Sequence, residues 1–492
     1  MSQLDELLSP WVELTTGVEI SHAHLDSRQV QAGDLFVAVA GHQSDGRDYI
    51  EAAIAAGAVA VVTQVDSPQQ QGLQARADGV PVVGIANLAE RLSLLGLRCY
   101  PDAATPTLIG VTGTNGKTTV SQLCAQLLEA LGQRAGVMGT VGNGLWGQLE
   151  ASANTTSDPL TVARSLAAQA QAGATAVALE ISSHGLAQGR VRQLPISTAV
   201  FTNLSRDHLD YHGDMDSYAA AKQRLFSQPG LQHAVLNLDD RYGALWHRQL
   251  QGQLHTIGYS LDGAECRGDY LQACEIEYHQ HGVSATIRSS FGDGQLHSPL
   301  LGRFNLANVL AALAALLAEG YPLADLLLAA QSLQPACGRM ELFAAAGHPS
   351  LVVDYAHTPD ALEQALLALR RHCLGQLWCL FGCGGDRDRG KRPLMAAAAE
   401  RHADKLVITA DNPRSEAFEQ IIADMQQGLS QPPALIEFDR ALALTQAFAQ
   451  AGGDDLILLA GKGHEDYQIV GNQTLIYNER ALAAQLLAEA QS

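Results

Sequence analysis

Apolar residues recur along this chain with two alternating rhythms. Short aliphatic and β-branched runs read as buried strands at 34–40 (DLFVAVA), 58–63, 107–111 (TLIGV), 174–181 (ATAVALEI), 196–202, 351–355 (LVVDY), 377–381 (LWCLF), 406–409 and 456–460 (LILLA). Between them lie helical spacings, at 49–57 and most clearly through Val120, Leu123, Cys124, Leu127, Leu128 and Leu131. Another helix opens at Thr358-Pro359, where proline suits the first turn. Strands alternating with helices predict an α/β chain of doubly wound sheets. Three domains are expected: a small α/β unit over 1–87, a central P-loop domain over 88–335 and a Rossmann-like domain over 336–492. The longest apolar run, 309–318, is too short to span a bilayer, which takes roughly 18 or more apolar residues.

Composition narrows the classes. With 492 residues, 47% of them hydrophobic, the chain can bury several ordinary cores. A net charge of −20 argues against a general nucleic-acid binder, and means that an anionic substrate must find a local basic cluster. The eight cysteines form no CxxC pairs and read as reduced, mostly buried thiols. Residues 1–14 carry acids and no basic segment, so no signal peptide is visible. A cytoplasmic monomer is expected.

The chemistry-bearing residues gather where strands end. After 107–111 the chain reads GVTGTNGKTT, with Gly110, Gly113 and Gly116 marking a tight loop and Lys117 opening a helix. Such a junction aims backbone N–H groups and a helix dipole at phosphate oxygens; Lys117 adds a point charge, and the Thr118 hydroxyl can ligate Mg²⁺. The spacing departs from GxxxxGK[ST], because Val111 stands where the first glycine belongs. Glu180 lies near the end of an apolar strand, a costly place for a carboxylate unless it meets a cation. His208 and His212 are four residues apart, a weak metal signal that alone reads as a solvent-facing pair, since Mg²⁺ prefers oxygen ligands. The loop after 377–381 carries Arg387, Arg389, Lys391 and Arg392, the basic cluster sought, all able to face phosphate. Strand-end loops recur as Asp411-Asn412-Pro413-Arg414 and Gly461-Lys462-Gly463-His464-Glu465. The planar fork of Arg414 suits a carboxylate; alternatively Asp411 caps a following helix and Arg414 sits in its first turn.

The loop GVTGTNGKTT resembles the ATP loop of the Mur ligases, the ATP-dependent amide-forming enzymes of peptidoglycan precursor synthesis; folylpolyglutamate synthetases carry a related loop. Asn154-Thr155-Thr156, EISSHG at 180–185, NLSRDHLDYHG at 203–213, GRFNLAN, GRME, DNPR and GKGHE extend the resemblance along the whole chain, with no motif broken. It implies ATP on Gly113, Thr114, Asn115, Gly116, Lys117, Thr118 and Thr119, with further contacts from Asn305 and Arg339. It implies Mg²⁺ on Thr118 and Glu180, and a second ion held with help from His208 and a carbamylated Lys222, a residue that alone reads as a helical surface lysine. Lys117, Glu180, His208 and Lys222 are then the catalytic group. LDSR, GDLFVAV and GHQSDG resemble the family's uridine-nucleotide domain, which implies a UDP-sugar on Leu25, Ser27, His42, Gln43 and Ser44. Asn154, Thr155, Thr156, Ser182, Gln188 and Arg190 would face a muramoyl dipeptide. In this family DNPR marks the members that add meso-diaminopimelate, here through Arg387, Asp411, Asn412, Pro413, Arg414, Gly461 and Glu465. The expected small-molecule substrates are therefore ATP, meso-diaminopimelate and UDP-N-acetylmuramoyl-L-alanyl-D-glutamate. Three other readings stay open at this level: a regulatory NTPase, a lysine-adding ligase and a folate ligase.

Overall fold

The strand Thr107–Thr112 is flanked in parallel by Ala176–Glu180 on one side and Ile196–Phe201 on the other. All three are almost wholly buried, as near-continuous apolar strands covered on both faces must be. Beyond them the sheet continues through Ala135–Gly139 to the antiparallel Gly142–Leu145 and Gln148–Glu150, and on the other flank through His233–Asn237 to His255–Ser260. The helix Lys117–Ala130 packs on this sheet and begins at the lysine, as its periodicity predicts.

These elements belong to a computed structural model that describes residues 2–41, 44–74, 76–152 and 154–490. The chain divides into two units, residues 1–271 with 311–322, and residues 272–310 with 323–492. The first unit also holds a five-stranded sheet, in which Ala23–His24, Leu35–Ala38, Ala60–Val65 and Val82–Ala86 run parallel and Gly72–Gln74 closes the edge antiparallel. Leu4, Leu7, Leu8, Leu88, Leu92 and Leu95 cover one of its faces. Two expected boundaries shift here. The helix expected over 49–57 is a 3-10 turn, Gly46–Tyr49, followed by Ile50–Ala55. The strand expected over 34–40 stops at Ala38, because the Gly46 N–H folds back onto the Val39 carbonyl.

The second unit contains a six-stranded sheet. Glu341–Phe343 is an antiparallel edge; Ser350–Asp354, Leu456–Ala460, Leu377–Phe381, Lys405–Thr409 and Leu435–Glu437 follow in that spatial order, all parallel. One face is covered by Leu362, Leu366, Leu369, Met395, Ala399 and Met425, the other by Ala443, Leu444, Ala447, Ala483 and Leu487. Apolar residues on both faces give the doubly wound arrangement that the strand–helix alternation predicts. The loops carrying the candidate residues leave the carboxyl ends of three neighbouring strands, Leu456–Ala460, Leu377–Phe381 and Lys405–Thr409.

Among the described residues, no helix is long and apolar enough to cross a membrane. All eight cysteines are free thiols, but only Cys124, Cys379 and Cys383 are buried; the other five are half-buried, so the expectation of mostly buried thiols is corrected.

Candidate active site

The phosphate loop is shaped by its neighbours. A Cβ on Gly113, at φ +154°, would sit 1.9 Å from Thr202 Oγ1, so only glycine lets the loop lie this close. Thr202 Oγ1 donates to the Asn115 carbonyl at 2.6 Å, and Asn203 Oδ1 accepts from the Asn115 N–H at 3.0 Å. Lys117 Nζ curls back to the carbonyls of Gly113 and Thr114, both at 2.9 Å. Val111 is a fully buried strand residue paired with Glu180, which accounts for the departure from the usual glycine spacing: the loop starts two residues later.

Glu180 lies beside the first turn of that helix. It is 3% exposed. Its carboxylate accepts from Thr118 Oγ1 at 2.8 Å, from the Thr140 N–H at 2.8 Å and from Thr140 Oγ1 at 3.2 Å. A Cβ on Gly139 would fall 2.0 Å from Glu180 Oε1, so this glycine makes room for the acid. Burial pushes the Glu180 pKa up; the bonds from Thr118 and Thr140 and the charge of Lys117 pull it part of the way back. A buried carboxylate met only by hydroxyls and an amide, with a threonine oxygen alongside, is a donor set that fits a hard divalent cation. Among the described residues, no group of three or more His, Cys, Asp or Glu side chains is arranged to hold a metal.

Lys222 overturns its reading as a surface lysine. It is 1% exposed, donates to the Gly113 carbonyl at 2.7 Å and lies 4.6 Å from the centre of the Tyr218 ring. Burial, reinforced by the charge of Lys117, pulls its pKa down to about 6. The His208–His212 reading as a solvent-facing pair is only half right. His208 is exposed, with a left-handed backbone at φ 52°. His212 bonds Ser183 Oγ at 2.9 Å, and both its ring and that of His208 lie within 5.5 Å of His184. Burial, with the neighbouring charges, lowers the pKa values of His184 and His212.

The residues expected to face the dipeptide converge around the same strand end. Thr156 Oγ1 donates to the Glu180 carbonyl at 2.9 Å and accepts from the Ser182 N–H at 3.0 Å. Arg190 donates to the Thr156 carbonyl and grips Gln188 Oε1 through Nε at 3.0 Å and Nη2 at 2.7 Å. Thr155 Oγ1 meets Thr140 Oγ1 at 3.0 Å, while Asn154 is exposed. Leu25, Ser27 and Ser44 follow the carboxyl ends of the adjacent strands Ala23–His24 and Leu35–Ala38. His42 and Gln43 lie outside the described residues.

In the second unit the basic cluster largely dissolves. Arg392 is fully buried, bonded to Asp424 Oδ2 at 2.8 Å, Glu416 Oε1 at 3.0 Å and the Gly384 carbonyl at 3.1 Å. Arg389 is bidentate to Asp424, both contacts at 2.9 Å, and Lys391 Nζ donates to the His357 carbonyl at 3.0 Å. The expectation that all four cations face phosphate is therefore corrected: Arg389 and Arg392 anchor the loop internally. Arg387 is exposed.

Arg414 is not in a helix, and Asp411 caps none; the next helix is Phe418–Gln426, whose cap residue is Ala417. Arg414 has φ 52°, its N–H donates to the Ile469 carbonyl at 3.1 Å, and its Nη1 donates to the Gly385 carbonyl at 2.9 Å. Asn412 is buried, its oxygen accepting from Lys462 Nζ at 2.8 Å and the Ile469 N–H at 2.9 Å, and its nitrogen donating to Glu465 Oε2 at 3.2 Å. Pro413 is buried, and a Cβ built on Gly461, at φ 112°, would lie 3.7–3.9 Å from the Asp411 carboxylate. The structure thus gathers Asp411, Asn412, Pro413, Arg414, Gly461 and Glu465 together. Arg339 stacks over Tyr355 at 4.9 Å, and Asn305 is buried against the Leu301 carbonyl at 2.9 Å. Sequence reasoning did not single out Lys462 or Thr140; both are defined by partners remote in the chain.

Three family descriptions match the chain: Mur ligase family, catalytic domain, at residues 19–97; Mur ligase middle domain at 111–316; and Mur ligase, glutamate ligase domain, at 338–463. It is 51% identical over 491 residues to a UDP-N-acetylmuramoyl-L-alanyl-D-glutamate--2,6-diaminopimelate ligase of Vibrio cholerae serotype O1, covering 99% of this chain and 98% of the relative. A solved structure of a ligase with the same name superposes with a TM-score of 0.75 at 39% identity, covering 96% of each chain. The MurF ligase of Thermotoga maritima in complex with ADP has a TM-score of 0.62 at 17% identity over 95% of this chain and 96% of that one, a likeness of fold.

Proposed function

Because the chain belongs to the Mur ligase family, we propose that it is the ATP-dependent ligase joining meso-diaminopimelate to UDP-N-acetylmuramoyl-L-alanyl-D-glutamate in peptidoglycan precursor synthesis. A carboxylate and an amine do not condense unaided, because oxide is a poor leaving group. The substrate carboxylate takes a phosphoryl group from ATP and becomes an acyl phosphate. The amine attacks its carbonyl carbon, and phosphate leaves the tetrahedral intermediate. Lys117 and the N-terminus of its helix balance the charge on the phosphoryl oxygens. Thr118 and Glu180 would hold Mg²⁺, which when bound supplies further positive charge at those oxygens. Lys222, whose pKa burial draws down to about 6, can add CO₂ and release a proton to give an anionic carbamate, which with His208 would hold a second ion. Thr155, Thr156, Ser182, Gln188 and Arg190 orient the dipeptide, Leu25, Ser27 and Ser44 the UDP-sugar. Arg414 receives the distal carboxylate of diaminopimelate and Glu465 its ammonium, with Arg387 alongside. Residues 1–87, 88–335 and 336–492 are assigned to UDP-sugar, ATP and amino acid respectively, in a cytoplasmic monomer.

The observation that carries this reading is the buried Glu180 carboxylate bonded to Thr118 in the first turn of the phosphate-loop helix. The test is phosphate release with ATP, the UDP-dipeptide and a panel of amino acids. Release coupled to tripeptide formation with diaminopimelate is expected. Release without an amide product, or a preference for lysine, overturns the assignment.

A further inference from the structure

Lys462 is a buried cation among the residues proposed to hold the amino acid. Its side chain is 0% exposed. Nζ lies 2.8 Å from Asn412 Oδ1, 2.7 Å from the Tyr467 carbonyl and 3.2 Å from Glu465 Oε2. Asp411 Oδ1 is 3.5 Å away, and this buried oxygen has no hydrogen-bond partner among the described residues. An ammonium has three donors and no acceptor. Those three contacts use all of them, so Lys462 has none left for a substrate. Its role must be exerted through the groups it holds.

Those groups include two that the proposed function assigns to the amino acid. Asn412 Oδ1 receives two donors, Lys462 Nζ and the Ile469 N–H, so the amide cannot flip without facing its N–H₂ at both. Its nitrogen is therefore held toward Glu465 Oε2. Glu465 Oε2 is fixed twice, by Asn412 and by Lys462, which leaves Oε1 without a hydrogen-bond partner among the described residues. The Tyr467 carbonyl ties the same ammonium to the hairpin strand Tyr467–Val470, whose Ile469 carbonyl holds the Arg414 backbone N–H at 3.1 Å. One buried charge thus links the DNPR loop, the GKGHE loop and the hairpin beside Arg414.

We propose that Lys462 is the positioning residue of the amino-acid site: it orients Asn412 and Glu465 for the incoming diaminopimelate without touching it. Without the ammonium, two carboxylates, Asp411 and Glu465, would share a largely buried site with no cation between them, and the Asn412 amide would be free to turn. The site would lose its shape for the amino acid, while the phosphate-loop chemistry in the other unit would continue.

The proposal rests on the ligase reading, and its test separates the two. Wild-type enzyme is first assayed with diaminopimelate and lysine; failure to use diaminopimelate defeats the reading itself. Lys462→Met and Lys462→Gln are then compared with wild type in three measurements: KM for diaminopimelate, KM for the UDP-dipeptide, and the rate at which hydroxylamine traps the acyl phosphate as a hydroxamate when no amino acid is present. The Met variant should raise KM for diaminopimelate by about 30-fold or more, the range seen when a buried charge loses its partner. The Gln variant, which keeps one polar contact, should fall between Met and wild type. Hydroxamate formation and the UDP-dipeptide KM should stay near wild type in both. An unchanged KM for diaminopimelate, or a parallel loss in all three measurements, overturns the proposal. Failure of both variants to fold would assign Lys462 to the domain core and overturn it as well.

Discussion

Replacing Glu180 by glutamine separates the catalytic use proposed for this carboxylate from any structural one. The substitution keeps the side chain's shape and removes its charge from a site that is 3% exposed. The carboxylate accepts from Thr118 Oγ1, the Thr140 N–H and Thr140 Oγ1 at 2.8, 2.8 and 3.2 Å. The amide oxygen can keep the Thr140 N–H, and both hydroxyls can rotate to accept from the new N–H₂. No buried polar group is stranded, so the fold should lose at most about 1 kcal/mol, a Tm change of about 2–4 °C for a unit of this size. Burial holds the Glu180 pKa above its ordinary 4.5. A carboxyl raised in this way favours folding below its unfolded pKa, and that contribution is lost as pH rises through the folded value. Above the folded value the unliganded wild type carries a desolvated charge that the variant lacks. The Tm of Glu180→Gln relative to wild type should therefore improve from acid to neutral pH. Activity should move the other way, with kcat falling by about 10²–10³-fold, as when one group that balances transition-state charge is removed. Differential scanning calorimetry across pH and phosphate release provide the two readouts. A variant that melts many degrees early and loses activity in parallel would show a structural role; near wild-type activity would remove Glu180 from the metal site.

Lys117→Ala should abolish ligation while leaving the calorimetric affinity for the UDP-dipeptide nearly intact; a matched loss of sugar-nucleotide affinity would indicate a folding defect instead. Lys222→Ala should lose activity and regain part of it with added short carboxylates, which stand in for the carbamate; full activity without them would take Lys222 out of the mechanism. Glu479→Ala should destabilise the second unit by about 3–5 kcal/mol, because it strands the fully buried Arg440 that it grips at 2.6 and 3.1 Å. Chemical denaturation measures this loss, and an unchanged midpoint would refute it.

Much of the fold was legible because parallel strands covered on both faces need near-continuous apolar runs, and runs such as LWCLF and LILLA satisfy that directly. The candidate loops were legible for the same reason: they leave the carboxyl ends of those strands. What escaped depends on contacts distant in the chain. Lys222 sits among alanines on a short helix and looks solvated, yet its partner is the Gly113 carbonyl, 109 residues away. Arg389 and Arg392 look like a phosphate-facing run until Asp424 and Glu416 fold onto them. Lys462 stands between two glycines, and its meaning comes from Asn412, 50 residues earlier. Arg414 resembled a helix-start residue because DNP is a turn sequence; instead it takes a left-handed backbone, φ 52°, and bridges to the hairpin at Val470.

The central claim is that this site selects diaminopimelate through its second carboxylate. Diaminopimelate and lysine share the attacking end and the methylene chain, and differ only in that group. Arg414 donates through Nη1 to the Gly385 carbonyl at 2.9 Å and to the Asn412 carbonyl at 3.4 Å; Nη2 and Nε have no hydrogen-bond partner among the described residues. That leaves a fork for a carboxylate. The decisive measurement is kcat/KM for both amino acids in wild type and in Arg414→Ala. Wild type should strongly prefer diaminopimelate, and the variant should lose about 30-fold to several-thousand-fold of its kcat/KM for diaminopimelate, while the poor rate with lysine barely changes. Equal losses for both amino acids, or a wild type that prefers lysine, would contradict the account.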